Sequence, residues 1–142
     1  VPAEAYTIPF GEAAIPREGK SATIVAYGLM VHRALEAAET LAKEKIDVEV
    51  VDLRSLSPID MDTVIESVEK TGRLVAVDEA NPRCSIAADV IASTTEHAFK
   101  ALKAAPIAIT APHTPVPFSA ALEDLYIPSA ARIADAVRKQ VK

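Results

Sequence analysis

Apolar residues in this chain fall into short blocks, separated by longer stretches with a helical period. Thr23-Ile24-Val25-Ala26-Tyr27 is a β-prone run that stops at Gly28. Val31, Ala34, Leu35, Ala38, Leu41 and Ala42 then recur at i, i+3, i+4 and i+7, the spacing of one helix face. His32, Arg33, Glu36, Glu39 and Lys43 take the opposite face, and Glu39 precedes Lys43 in the favourable i,i+4 order. The pattern repeats. Val48-Glu49-Val50-Val51-Asp52-Leu53 predicts a second strand. Pro58 and Asp60 open a second helix with Val64, Ile65 and Val68 inward and Gly72 as its stop. Leu74-Val75-Ala76-Val77 is a continuous apolar run, as in a parallel strand covered on both faces. Ser85 caps a third helix carrying Ile86, Val90 and Ile91, which continues loosely through Phe99 and Leu102. Pro106-Ile107-Ala108-Ile109-Thr110 predicts a last short strand. Ser129 caps a final helix through Ile133, Val137 and Val141. Arg138, Lys139 and Lys142 suit the negative end of that helix's dipole.

Alternating strands and helices predict an α/β domain of three layers, α/β/α, around a mostly parallel sheet of about five strands. One antiparallel edge strand is expected. Residues 1–20, with Pro2, Pro9 and Pro16, read as a lead-in segment or linker, and 21–142 as the domain. Tyr6-Thr7-Ile8 is the candidate strand in the lead-in, confined by Pro9 to an edge or a strand end. Ligands of such domains bind at the carboxyl ends of the strands. Those ends fall near Gly28, Arg54-Ser55, Asp78-Glu79 and Thr110-Ala111. The connection over 111–128 is long and holds Pro112, Pro115, Pro117 and Pro128. Connections of that length are usually functional or interfacial.

Composition narrows the classes. With 142 residues, 50% apolar and 25% charged, the chain can bury a full core, and disorder is not expected. No apolar run approaches the roughly 20 residues of a membrane-spanning helix. A net charge of −5 argues against nucleic-acid binding, which needs a basic face. Cys84 is the single cysteine, so no internal disulfide and no cysteine-based zinc cluster can form, which suits a reducing cytosol. The four glycines spell neither G-x-G-x-x-G nor a phosphate-binding loop. The chain starts at Val1 without a basic, apolar leader, and Val1-Pro2-Ala3-Glu4 reads as the middle of a longer chain.

Candidate chemistry is sparse. Asp78 and Glu79 end the third core strand. They read either as an acid/base pair or as a strand-end cap beside a Glu79–Arg83 ion pair, and the cap is favoured. Cys84, beside Arg83 at a helix start, has the surroundings of a reactive thiol. No histidine is near it in sequence, and a small buried apolar role is expected. His32 and His97 fall among charged helix neighbours and are expected in solvent, without metal-ligand spacing. His113 lies in the long connection and either lines a site or meets a partner. That connection also carries Val116, Pro117, Phe118, Leu122, Leu125, Tyr126 and Ile127, with Glu123 and Asp124 between them. Apolar residues so dense in a loop either fold back over the core or form an interface. The candidate interface residues are therefore His113, Val116, Pro117, Phe118, Leu122, Glu123, Asp124, Leu125 and Tyr126. No residue is assigned to catalysis, to a cofactor or to a metal. Bottom-up, a stand-alone ligand-binding domain using the strand ends near Asp78 and an interaction module both remain open.

The order of motifs resembles the C-terminal domain of the transketolase-like, thiamine-diphosphate enzymes. The resemblance rests on Thr23 to Gly28, on the fixed strand, turn and cap of Val50-Val51-Asp52-Leu53-Arg54-Ser55-Leu56-Ser57-Pro58-Ile59-Asp60, and on Thr71-Gly72-Arg73-Leu74-Val75-Ala76-Val77-Asp78-Glu79. Tyr6-Thr7-Ile8-Pro9-Phe10-Gly11 resembles the segment leading into that domain, and Leu122-Glu123 to Pro128 its closing loop. Within the group the chain is similar to beta subunits of 2-oxo acid dehydrogenases. Asp78-Glu79-Ala80-Asn81-Pro82-Arg83-Cys84-Ser85 and Ala111-Pro112-His113-Thr114-Pro115-Val116-Pro117-Phe118 resemble the acetoin branch. Many pyruvate-type relatives carry aspartate at the place of His113. The same domain of a pyruvate or branched-chain enzyme is the alternative, and the C-terminal domains of transketolase and deoxyxylulose-phosphate synthase match Asn81 to Ser85 less well.

The resemblance implies a part of an enzyme that cleaves acetoin with thiamine diphosphate and magnesium and passes the acyl group to a lipoyl arm. It implies that the cofactor is held outside this domain and that the fragment alone is inactive. The implied partners are an alpha subunit, a second beta subunit and a dihydrolipoyl acyltransferase, in the cytoplasm, with no nucleic acid and no membrane. The loop over 116–128 is the expected dimer contact, and the acidic surface suits a basic segment of the acyltransferase.

Overall fold

The computed structural model describes residues 3–142, so Val1 and Pro2 lie outside the described residues. Five strands form one sheet: β1 (Ala14–Arg17), β2 (Ala22–Ala26), β3 (Val48–Asp52), β4 (Leu74–Val77) and β5 (Ile107–Ile109). Their spatial order is β1-β3-β2-β4-β5. β2 pairs in parallel with β3 and β4, and β4 with β5, while β1 runs antiparallel to β3. The expected three-layer, mostly parallel architecture is thus the observed one, with its single antiparallel strand at an edge.

Two periods in the sequence divide the core. Ala22, Ile24, Ala26, Val48, Val50, Val75 and Val77 face α1 (Leu29–Lys43) and α5 (Ala130–Val141). The alternate residues Val25, Val51, Leu74 and Ala76 face α2 (Met61–Thr71) and α3 (Ile86–Ala98). Side chains alternate across a strand, so each apolar run feeds both layers. Each buried Val, Leu or Ile contributes roughly 1.5–3 kcal/mol. Truncating the fully buried Leu41 to alanine would cost about 2–5 kcal/mol with its cavity.

Caps fix where the helices begin and end. Asp60 Oδ1 accepts from Thr63 N at 3.0 Å, Ser85 Oγ from Ala88 N at 3.3 Å and Ser129 Oγ from Arg132 N at 3.3 Å. α2 ends at Gly72, whose φ of 77° is left-handed and whose N–H reaches Val68 O at 2.7 Å. The third helix stops at Ala98, and Phe99–Ala101 form one tighter turn.

Two expectations for the flanking segments are corrected. Tyr6, Thr7 and Ile8 form no strand and are exposed. The lead-in contributes β1, eight residues from Tyr6, because Ala14 and Arg17 find β3 backbone opposite Asp52 and Val50. Pro16 is tolerated there because an edge strand leaves one row of donors unused. The long connection over 111–128 is not all loop: α4 (Ala120–Tyr126) lies inside it. The chain passes from β2 through α1 to β3 on one side, then through α2 to β4 on the other. The crossover directions diverge at the carboxyl ends of β2 and β4, where such sheets open a crevice.

Candidate assembly interface

The crevice is closed by the chain's own residues. Asp78, at the end of β4, is fully buried. Its Oδ1 accepts from the Tyr27 hydroxyl at 2.7 Å and from Ala80 N at 2.8 Å, and its Oδ2 from Ala87 N at 3.4 Å. A buried carboxylate is retained only with such partners. Burial, and then the Asp78 bond, hold the Tyr27 hydroxyl above the ordinary tyrosine range. Asp78 therefore closes the end of the sheet and anchors the start of α3, as the cap reading anticipated. Glu79 is exposed, and the expected Glu79–Arg83 ion pair does not form. Arg83 donates its backbone N–H to Asn81 Oδ1 at 3.0 Å.

Cys84 is exposed, not buried as expected. It occupies a left-handed φ of 53° in the turn that delivers Ser85 to its capping position, and so lies outside the core. His32 and His97 are exposed, as anticipated. Among the described residues, no three His, Cys, Asp or Glu side chains are placed to hold a metal ion.

The candidate interface residues gather at the same end of the sheet. Ala111 is buried and its N–H bonds Ala80 O at 3.1 Å, tying the long connection to the Asp78 loop. An open cleft of about 270 Å³ separates Asn81 from His113, Thr114 and Pro115. Beyond it Val116, Phe118, Leu122 and Leu125 point into solvent. Phe118 is fully exposed and Leu125 82% exposed. His113, Glu123 and Asp124 are exposed beside them, and Pro117 is half-buried. Tyr126 differs from the rest of the set: it is buried, and its hydroxyl donates to Thr114 O at 3.1 Å. It fixes the loop from within and is not itself contact surface. Ile127 packs on the α1/α5 core. α4 has seven residues, too few for a helix to be stable alone. Its apolar face is turned outward, so its own fold gains little from Leu122 and Leu125.

A second group of exposed apolar residues flanks this surface. Phe10 is 89% exposed at a turn where Gly11, at a φ of 74°, lies against Pro58. Ala13 N donates to Asp60 Oδ2 at 2.9 Å, holding the segment at the carboxyl end of β3. Leu29 is exposed at the start of α1, after the end of β2. Thus Phe10, Leu29, Val116, Phe118, Leu122 and Leu125 are exposed in segments that adjoin the carboxyl ends of β3, β2 and β5. Isolated apolar residues on a surface are ordinary, whereas a contiguous apolar patch is a feature of interaction sites.

Sequence reasoning missed a polar network at the opposite end. Glu49 on β3 is fully buried, receives Gly19 N at 3.2 Å and pairs with Lys70, which also meets Glu18 at 2.7 Å. The signal was a lone acid inside an apolar strand. Hydrogen bonding to Lys70 is the main reason the Glu18 carboxyl lies below its ordinary range.

The geometry defines an α/β domain whose strand ends are sealed by its own side chains and bordered by uncovered apolar residues. The sequence profile of the family described as "Transketolase, C-terminal domain" matches residues 11–133, and the chain belongs to that family. It is 68% identical over 142 residues to the acetoin:2,6-dichlorophenolindophenol oxidoreductase subunit beta of Cupriavidus necator, covering all of this chain and 42% of that protein. It is 46% identical over 139 residues to the pyruvate dehydrogenase E1 component subunit beta of Bacillus subtilis, covering 98% of this chain and 42% of that one. Among solved structures it matches a split-gene transketolase, described as an inactive beta4 tetramer. That match has a TM-score of 0.80 and 31% identity, over 96% of this chain and 43% of the other. The chain spans under half the length of these relatives.

Proposed function

We propose that this chain is the C-terminal assembly domain of the beta subunit of a thiamine-diphosphate-dependent acetoin dehydrogenase. The whole enzyme cleaves acetoin and passes the acyl group to a lipoyl-bearing acyltransferase in the cytoplasm. The observation that carries the reading is the uncovered apolar surface of Val116, Phe118, Leu122 and Leu125 at the strand ends. Similarity to an acetoin-oxidising beta subunit supports the branch, at 68% identity against 46% for a pyruvate-type beta subunit. A second beta subunit is the partner this surface suits best. Burying four such side chains contributes roughly 6–12 kcal/mol gross. Association costs about 4–15 kcal/mol, so a stable dimer must extend over neighbours such as Phe10 or over the rest of the subunit.

Thiamine diphosphate and magnesium are assigned to the alpha subunit and to the remainder of the beta subunit. The strand ends here do not fit that cofactor. Asp78 is taken up by three donors of its own chain, and the cleft at His113 offers one imidazole and small polar groups for a doubly anionic diphosphate. Titration calorimetry of the chain with thiamine diphosphate and magnesium is predicted to give no binding heat. Saturable binding would favour the other reading, a stand-alone ligand-binding domain centred on that cleft. The acidic pair Glu123 and Asp124, exposed beside the apolar patch, is assigned to the acyltransferase contact. Reversing both charges should weaken acyltransferase binding by the complete enzyme, and unchanged affinity would remove that assignment.

A further inference from the structure

A second surface lies along the open edge of the sheet, away from the apolar patch. A groove of about 610 Å³ is lined by Thr95, Phe99, Leu102 and Pro106, with Lys100 and Lys103 on its rim. Phe99 is 69% exposed, just where α3 gives way to a single tight turn. Pro106 of this groove precedes β5, where a second cleft of about 320 Å³ separates Ile107 and Ile109 from Arg132 and Lys139 of α5, in the other helix layer. Two observations identify what fits there.

The first is charge. The chain carries a net −5, yet the charged groups lining these two clefts are Lys100, Lys103, Arg132, Lys139 and one acid, Asp135. Glu69 and Glu96 line an adjoining cleft that shares Phe99 and Lys100, and Arg132 already donates to Thr110 O at 3.1 Å. Asp135 already receives Arg138 Nη1 at 2.6 Å. Basic groups therefore outnumber acids in the two clefts, on a molecule that is acidic as a whole. The second is backbone. Among the described residues, β5 pairs on one side only, with β4. Asp78 N donates to Ile109 O at 3.0 Å, so the Ile109 carbonyl faces β4, and by alternation the Ala108 peptide groups face outward. Ala108 is exposed. An uncovered edge strand is a template for an added strand.

We infer that the β5 edge and the Phe99 groove bind an extended acidic peptide segment of a partner protein. Its backbone pairs with Ala108, an aromatic or aliphatic side chain sits on Phe99 and Leu102, and carboxylates meet Lys100, Lys103 and Lys139. The surface is independent of the proposed subunit contact at the strand ends, and its test uses the chain alone.

The probe is a fluorescein-labelled peptide of phenylalanine and valine flanked by glutamates. Controls are the same peptide with lysine for glutamate and one with N-methylated backbone. Binding is read by polarisation and mapped by amide NMR shifts on the full chain. Saturation below about 1 mM is expected, with shifts confined to residues 95–110 and 132–139. Affinity should fall at least tenfold in Lys100→Glu/Lys139→Glu, in Phe99→Ser, and with the N-methylated peptide. It should also fall between roughly 0.05 and 0.5 M salt. All three side chains are exposed, so thermal unfolding should be unchanged in these variants. The proposal is overturned by no shift in these segments, by equal binding of the lysine peptide, or by variants that bind as the parent does. Binding of anionic lipid vesicles or self-association through this edge, without peptide binding, would overturn it too.

Discussion

Replacing Asp78 with alanine removes one acceptor from three donors at once. Bonds to a charged group contribute about 1.5–3 kcal/mol each, and stranding a buried donor costs about 1–3 kcal/mol. The three donors are unequal. Ala80 is exposed and Tyr27 half-buried, so both can turn to water, whereas Ala87 is buried at the first turn of α3. The loss should therefore sum to about 3–4 kcal/mol rather than three full penalties. That is a large part of the ~5–15 kcal/mol of an ordinary domain, which should still fold. Urea unfolding checks it, with the midpoint falling and the slope unchanged. Tyr27→Phe alone should cost about 1–2 kcal/mol, and the double variant less than the sum, because the two residues share one bond. A loss under about 1 kcal/mol for Asp78→Ala, or strict additivity, would refute the claim that this carboxylate closes the sheet end.

Other outcomes follow from the same structure. Tyr27 titrates above its unfolded value, so its contribution is whole below pH 10 and is lost as pH rises further; alkaline unfolding of Tyr27→Phe should be less steep in that range. Burial pushes the Asp60 carboxyl up, but bonds from Ala13 N, Thr63 N and the Thr63 hydroxyl outweigh it and hold it below 3.8. Its contribution is present above that pH and lost as pH falls through the lower folded value, and an acid titration monitored by circular dichroism should show less loss in Asp60→Asn. Gly19→Ala should destabilise by well over 1 kcal/mol in thermal unfolding, because a Cβ there would overlap the Val48 backbone. Gln140→Leu removes the bonds from its Nε2 to Leu74 O at 2.9 Å and Ala105 O at 2.8 Å, so it should cost about 1–3 kcal/mol and loosen α5, read as faster amide exchange there.

Much of this fold was legible because periodicity and caps agreed. Leu74–Val77 was bounded correctly by Gly72 before it and Asp78 after it, and Asp60, Ser85 and Ser129 marked the starts of their helices. The lead-in was misread where local signal was weak. Tyr6 and Ile8 have strand propensity but no partner, whereas Ala14 and Arg17 gain one from β3, a contact that only the tertiary fold supplies. α4 was hidden among prolines and depends on Tyr126 and Ile127 for its place. The apolar loop was visible as a candidate surface, but its division into outward Phe118 and Leu125 and inward Tyr126 was not, since Tyr126 is held inward by a hydroxyl bond to Thr114 O that only the folded loop supplies. Cys84 left the core because its turn needs a left-handed residue, which composition does not reveal.

Sedimentation of the complete beta subunit carrying Phe118→Asp and Leu125→Asp most directly tests the claim that the strand-end surface is an assembly contact. Both side chains are exposed, so thermal unfolding of this domain should move little. The account predicts that the parent subunit sediments as a dimer and the variant as a folded monomer. A variant that remains dimeric at the same concentrations would contradict it.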